Sequence, residues 1–90
     1  AIYYAVLCGF PNIVKFLAEK FPGSVNEKGG NYGTPLHAAA AKGYFDVVQV
    51  LLEGGADTGA WDSNHRTASQ VALGNGQYTI AQLLAQHRAN

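Results

Sequence analysis

Three histidines, one cysteine and a thin scatter of carboxylates are the side chains of this 90-residue sequence best suited to acid–base, nucleophilic or metal chemistry. His37, His65 and His87 lie far apart, and no two His or Cys residues share ligand spacing on one helix or loop, so a zinc site is not expected. Cys8 follows the apolar Leu7 and has no adjacent His or Lys to stabilise a thiolate. The expectation is a partly buried, unreactive thiol. Ser69 completes the candidate polar groups. Gly29-Gly30 and Gly74-Asn75-Gly76 are glycine-rich, yet neither follows a buried strand or carries the lysine of a phosphate-binding loop, so they read as turns. Neither catalysis nor a cofactor or metal is expected of this segment.

What positions these residues is a repeat. Thr34, Ala39, Gly43, Gln49, Leu51 and Ala56 recur 33 positions later as Thr67, Ala72, Gly76, Gln82, Leu84 and Ala89. A third copy lies upstream at a spacing of 34, where Gly9, Leu17 and Glu19 answer Gly43, Leu51 and Glu53. A unit this short cannot bury its own apolar face, so units must stack and share one core. Such an array offers a long rigid surface and argues for binding.

Each unit reads as two short helices. Thr34 is a good N-cap, Pro35 suits the first helical position, and His37 at the third can reach back toward Thr34 as a capping-box residue does. Lys42 sets positive charge at the helix end and Gly43 supplies a left-handed exit, giving a helix over about 35–42. A second helix over about 45–53 carries Tyr44, Val47, Val48, Leu51 and Leu52 on one stripe, with Asp46, Gln49 and Glu53 facing away. Pro11 starts the corresponding helix of the first copy, and Gly54-Gly55 ends that of the second.

The run Gly33-Thr34-Pro35-Leu36-His37-Ala38-Ala39, then Lys42-Gly43-Tyr44, the Val47-to-Leu52 stripe and Gly54-Gly55-Ala56-Asp57 together resemble an ankyrin repeat. The segment Asn26 to Gly33 is similar to a hairpin variant of fungal ankyrin arrays, in which a Tyr-Gly pair precedes the helix. The resemblance covers nearly the whole chain, strongly in the middle copy and more weakly at both ends. It implies an all-α solenoid of three stacked helix-turn-helix pairs joined by β-hairpin-like loops, with repeats at approximately 1–29, 30–62 and 63–90. Thr34, Pro35, Leu36, His37, Gly43 and Gly55 carry the structural motif, and His37 would hold adjacent loops through hydrogen bonds.

The same resemblance implies a protein–protein interaction module that recognises partners through hairpin tips and the outward part of the first helix of each pair. The matching positions are Lys28, Asn31, Tyr32, Ala41 and Lys42, then Trp61, Ser63, Asn64, His65 and Arg66, then Gly74 and Asn75. Trp61 beside Arg66 has the make-up of an interface hot spot; the competing reading packs Trp61 locally on Tyr32 or Arg66. His65, at a position where the family prefers glycine, is either solvated or part of the binding surface. Lys28, Lys42 and Arg66 would weakly favour an acidic partner, offset in part by Glu27 and Asp62. The partner would be another protein or another domain of the parent chain. Service as a structural spacer in a longer solenoid, or as a regulatory domain, is the other functional reading.

Composition agrees. Hydrophobic residues make up 48%, enough for a modest core, and six basic residues balance six acidic ones, which disfavours nucleic acid. No apolar run approaches the ~20 residues needed to span a bilayer, so no membrane partner is expected. A lone cysteine suits a reducing compartment, with the cytoplasm expected and the nucleus also open. Ala1 aligns inside a helix and Asn90 inside a turn, so the segment reads as a piece of a longer protein. In the third copy Ser69 and Gln70 replace Leu36 and His37, Ala81 and Ala85 replace Val48 and Leu52, and His87-Arg88 replace the glycine pair. Such an outer surface suits a terminal capping repeat, which truncation could mimic.

Overall fold

A computed structural model describes residues 2–27, 33–62 and 64–89, with residues 88 and 89 described as backbone only. Among these residues six α-helices follow one another: α1 (Ile2–Cys8), α2 (Pro11–Lys20), α3 (Pro35–Lys42), α4 (Phe45–Glu53), α5 (Ala68–Gly74) and α6 (Tyr78–Ala89). They form three pairs, stacked so that α1, α3 and α5 make one layer and α2, α4 and α6 the other. Among the described residues no extended strand forms beyond an isolated β-bridge at Gly33.

The helix starts follow from local chemistry. Thr34 is extended at φ −82° and ψ 164°, its Oγ1 accepts the His37 N–H at 3.4 Å, and Pro35 opens α3 without wasting a donor. Gly43 closes the helix in the left-handed region at φ 79°, matched by Gly9 at 75° and Gly76 at 74°. A Cβ at Gly43 would also lie 2.6 Å from the Gln77 amide of the next pair, the end of a flexible side chain that would have to swing aside. The third copy also starts on a full capping box. Thr67 N–H donates to Gln70 Oε1 at 2.9 Å and Gln70 N–H to Thr67 Oγ1 at 3.4 Å. Gln70 thus keeps the local duty of His37, although the pair Ser69-Gln70 reads as degenerate in sequence.

One core runs through the stack. Val47, Val48, Leu51 and Leu52 are buried on α4, while Asp46, Gln49 and Glu53 are exposed, as the stripe requires. Ala38, Ala39 and Ala40 are wholly inaccessible, and their small side chains let α3 sit between α1 and α5. Ile2, Val6, Val14, Leu36, Ile80 and Leu84 complete the same cluster.

Three features differ from the sequence reading. A 3₁₀ turn over Pro22–Asn26 follows α2, started by the fixed φ of Pro22 and anchored by buried Val25. Its Asn26 brackets the next loop, accepting Asp57 N–H at 2.7 Å and donating to the Gly55 carbonyl at 3.4 Å. Cys8 is exposed rather than partly buried, because it ends α1 at the position of the exposed Lys42. Finally, α6 runs on through His87 and Arg88, since neither breaks a helix as Gly54-Gly55 does.

Candidate protein-binding face

The loop before α5 is built around one carboxylate. Asp62 Oδ1 accepts the backbone N–H groups of Asn64 at 2.8 Å and Arg66 at 2.9 Å, and Oδ2 accepts Arg66 Nε at 3.3 Å and Nη2 at 3.2 Å. Its own backbone N–H donates to the Arg66 carbonyl at 2.9 Å, and its carbonyl accepts His65 N–H at 3.0 Å. Burial alone would push the Asp62 carboxyl up. The Arg66 and Asn64 backbone donors, with the charge of Arg66, outweigh that and hold it below its ordinary value of 3.8. Asp62 is therefore a buried turn organiser, not the solvated counter-charge its sequence context suggests. Gly33 makes the burial possible, since a Cβ there would lie 2.9 Å from Asp62 Cβ.

His37 ties this loop to the preceding pair. A carbonyl can only accept, so His37 Nε2–H donates to the Arg66 oxygen at 2.8 Å. Nδ1 then accepts from the Thr34 hydroxyl at 2.7 Å and the Thr34 N–H at 3.4 Å. The implied role of His37, holding adjacent loops, is thus what its two nitrogens do.

On this braced loop Trp61, Asn64 and His65 stand exposed together. Trp61 is 57% exposed, and its ring meets the His65 imidazole edge-on with centroids 5.7 Å apart. The ring contact of Trp61 is therefore with His65; Tyr32 lies outside the described residues. Arg66 keeps an exposed side but is committed to Asp62, so it is a poorer mobile hot-spot partner than its sequence position suggests. His65 takes a left-handed conformation at φ 59°, which explains the family's glycine there. That position turns the imidazole outward beside Trp61.

The remaining positions disperse. Lys42 is exposed at the end of α3, and Asn75 occupies the equivalent end of α5. Asn75 spends its amide on capping, Nδ2 donating to the Val71 carbonyl at 2.8 Å. Lys28, Asn31 and Ser63 lie outside the described residues. Sequence reading missed Asp62 and Asn26 as organisers; the only local hint was that each can bond backbone groups in a turn. Among the described residues no group of three or more His, Cys, Asp or Glu is arranged to hold a metal, and no helix is long and apolar enough to cross a membrane.

Comparison with known proteins agrees with this architecture. The mouse ankyrin repeat and SAM domain-containing protein 6 is 37% identical over 90 residues, covering 99% of this chain and 10% of that protein. Mouse Rabankyrin-5 is 43% identical over 65 residues, covering 72% of this chain and 6% of that protein. A probable E3 ubiquitin-protein ligase of rice, XBOS33, is 41% identical over 61 residues, covering 68% and 12%. The chain therefore spans about a tenth of these relatives or less. The family profile described as "Ankyrin repeats (3 copies)" matches residues 2–90. Repeats of this kind generally mediate protein–protein interaction and are typically non-enzymatic. On that match, and on the helix pairs that bear it out, the chain belongs to the ankyrin-repeat family.

Proposed function

We propose that this segment is a non-enzymatic protein-recognition module whose contact centre is the hairpin bearing Trp61, Asn64 and His65, with Arg66 beside it and Lys42 an outlying position at the far end of α3. The observation that carries the reading is an exposed tryptophan on a loop held by the Asp62 and His37 bonds. A large aromatic on a braced loop loses little conformational freedom on binding, so more of its burial becomes affinity. The partner is another protein or another domain of the parent chain. Each relative's far greater length favours a second role beside the first, a segment that extends a longer solenoid.

The test is capture from host lysate by the wild-type chain and by the Trp61→Ala/His65→Gly double variant. Glycine suits the left-handed backbone at 65, so this pair removes both rings and leaves the Asp62 turn intact. With melting and helicity unchanged, loss of a captured protein in the variant is the expected result. The same capture by both proteins would remove the hairpin from the binding face.

A further inference from the structure

The edge of the stack away from the hairpins, where the first helix of each pair turns into the second, is notched at both junctions between pairs. Gly9, Pro11, Tyr44, Phe45 and Asp46 line the first notch, and Gly43, Phe45, Gln77, Tyr78 and Thr79 line the second. In the repeat register these are the same five positions, one step apart. Each notch is bounded on both sides by helix pairs of this chain, and Phe45 is shared between them.

The left-handed glycines shape both notches. Tyr44 lies across the bare backbone of Gly9, where a Cβ would be 3.0 Å from its Cζ, and the Gln77 amide takes the equivalent place on Gly43. The rings of the next residues, Phe45 and Tyr78, then stand as ridges; Phe45 is half-buried and Tyr78 is 66% exposed. The first notch has a volume of about 170 Å³, below the ~300–1,000 Å³ of sites that enclose a small molecule, so it suits a single side chain. The second, about 430 Å³, is wider, with Gln77 where the first has the Tyr44 ring.

We infer that this edge is a second protein-binding surface, and that its occupant is a proline-rich segment in the polyproline II conformation with a basic residue beside Asp46. The step of the stack carries the choice of conformation. Packed helices such as α2, α4 and α6 lie about 8–10 Å apart. Polyproline II rises about 3.1 Å per residue with three residues per turn, so positions i and i+3 share a face about 9.3 Å apart and enter successive notches. A β-strand repeats a face every ~6.6 Å and misses that step. Aromatic ridges are the usual dock for such a helix, and its unspent carbonyls can accept from the Tyr44 and Tyr78 hydroxyls and the Gln77 amide.

Charge sets the direction of the peptide. Asp46 is the sole charged residue among those lining either notch, and Thr79 stands at its equivalent in the second. Lys42 directly precedes Gly43 at the second notch. A basic residue is therefore drawn to the first notch and kept from the second. This surface is separate from the Trp61 hairpin: Thr34 starts α3 on the hairpin side and Gly43 ends it on the notched side, about 12 Å further along the axis.

The probe is an oligoproline peptide tipped with arginine, titrated into the isotope-labelled chain and followed by amide chemical shifts. Shifts are expected at Gly9, Gly43, Phe45 and Tyr78, with none at Trp61 or His65. Tyr78→Ala removes a largely exposed ring, so it should weaken binding about fivefold or more with helicity retained. Asp46→Asn should weaken it by up to about fivefold and abolish the preference for the arginine-tipped peptide over a glutamate-tipped one. An alanine-based helical peptide of the same charge should bind far more weakly. Unmoved notch amides at millimolar peptide would overturn the proposal, as would shifts confined to the Trp61 hairpin. Undiminished binding by the Tyr78→Ala chain, or an equal response to the helical peptide, would do the same.

Discussion

The first and middle helix pairs share one pattern and meet different surroundings. Val47 is wholly covered and its counterpart Ile13 is half open; Ala38 is inaccessible and Tyr4 projects. Burial in this stack is thus a property of neighbours as much as of residue type. An aliphatic stripe identifies the face that wants cover, and only the adjoining pair decides whether it has it.

Truncating the central leucine breaks that contrast most severely. Leu51→Ala should destabilise by about 2–5 kcal/mol through the cavity it leaves. Leu17→Ala, at the half-buried equivalent, should shift the urea midpoint far less. Equal shifts would mean that the two pairs are equally covered.

Removal of the cap comes next. Thr34→Ala should cost about 0.5–2 kcal/mol in thermal or urea unfolding. His37→Gln tests a finer difference between the two capping boxes. Glutamine serves at position 70, where only the local bond is needed, but at 37 it loses the reach to Arg66. Because the Arg66 carbonyl keeps the Asp62 N–H, the loss should be one hydrogen bond, about 0.5–1.5 kcal/mol. A silent His37→Gln would show that the link between loops adds nothing beyond the cap.

Acid gives a smaller effect whose sign is fixed. The Asp62 carboxyl is held below its ordinary value in the fold, so its contribution is complete above the unfolded value near 3.8 and fades as pH falls toward the lower folded one. Asp62→Asn should flatten the dependence of the urea midpoint on pH below about 4. At the low end, Ile13→Ala should stay within about 0.5 kcal/mol.

Much of this was legible from residues alone. Thr34, Pro35 and Gly43 bound α3 where they stand, and the apolar stripe picks the buried face of α4, because caps and periodicity are local. The capping box of Thr67 and Gln70 was equally local and is hidden only when Gln70 is weighed as a lost histidine. Asp62 was not legible: its burial depends on the bare backbone of Gly33, 29 residues away in sequence. Nor was the exposure of Cys8, since an apolar neighbour says little about which way a helix end points. Of the candidate site, the cluster of Trp61, Asn64 and His65 follows from their adjacency, whereas the commitments of Arg66 and Asn75 depend on folded geometry.

The Arg66 carbonyl has a mechanical consequence. It is gripped by His37 from the pair before and by Asp62 within its own loop, at 2.8 and 2.9 Å. A pull that separates the second pair from the third loads the His37 bond, and its rupture strands a buried imidazole N–H. This junction should therefore yield abruptly under tension, behaving as a latch instead of a spring.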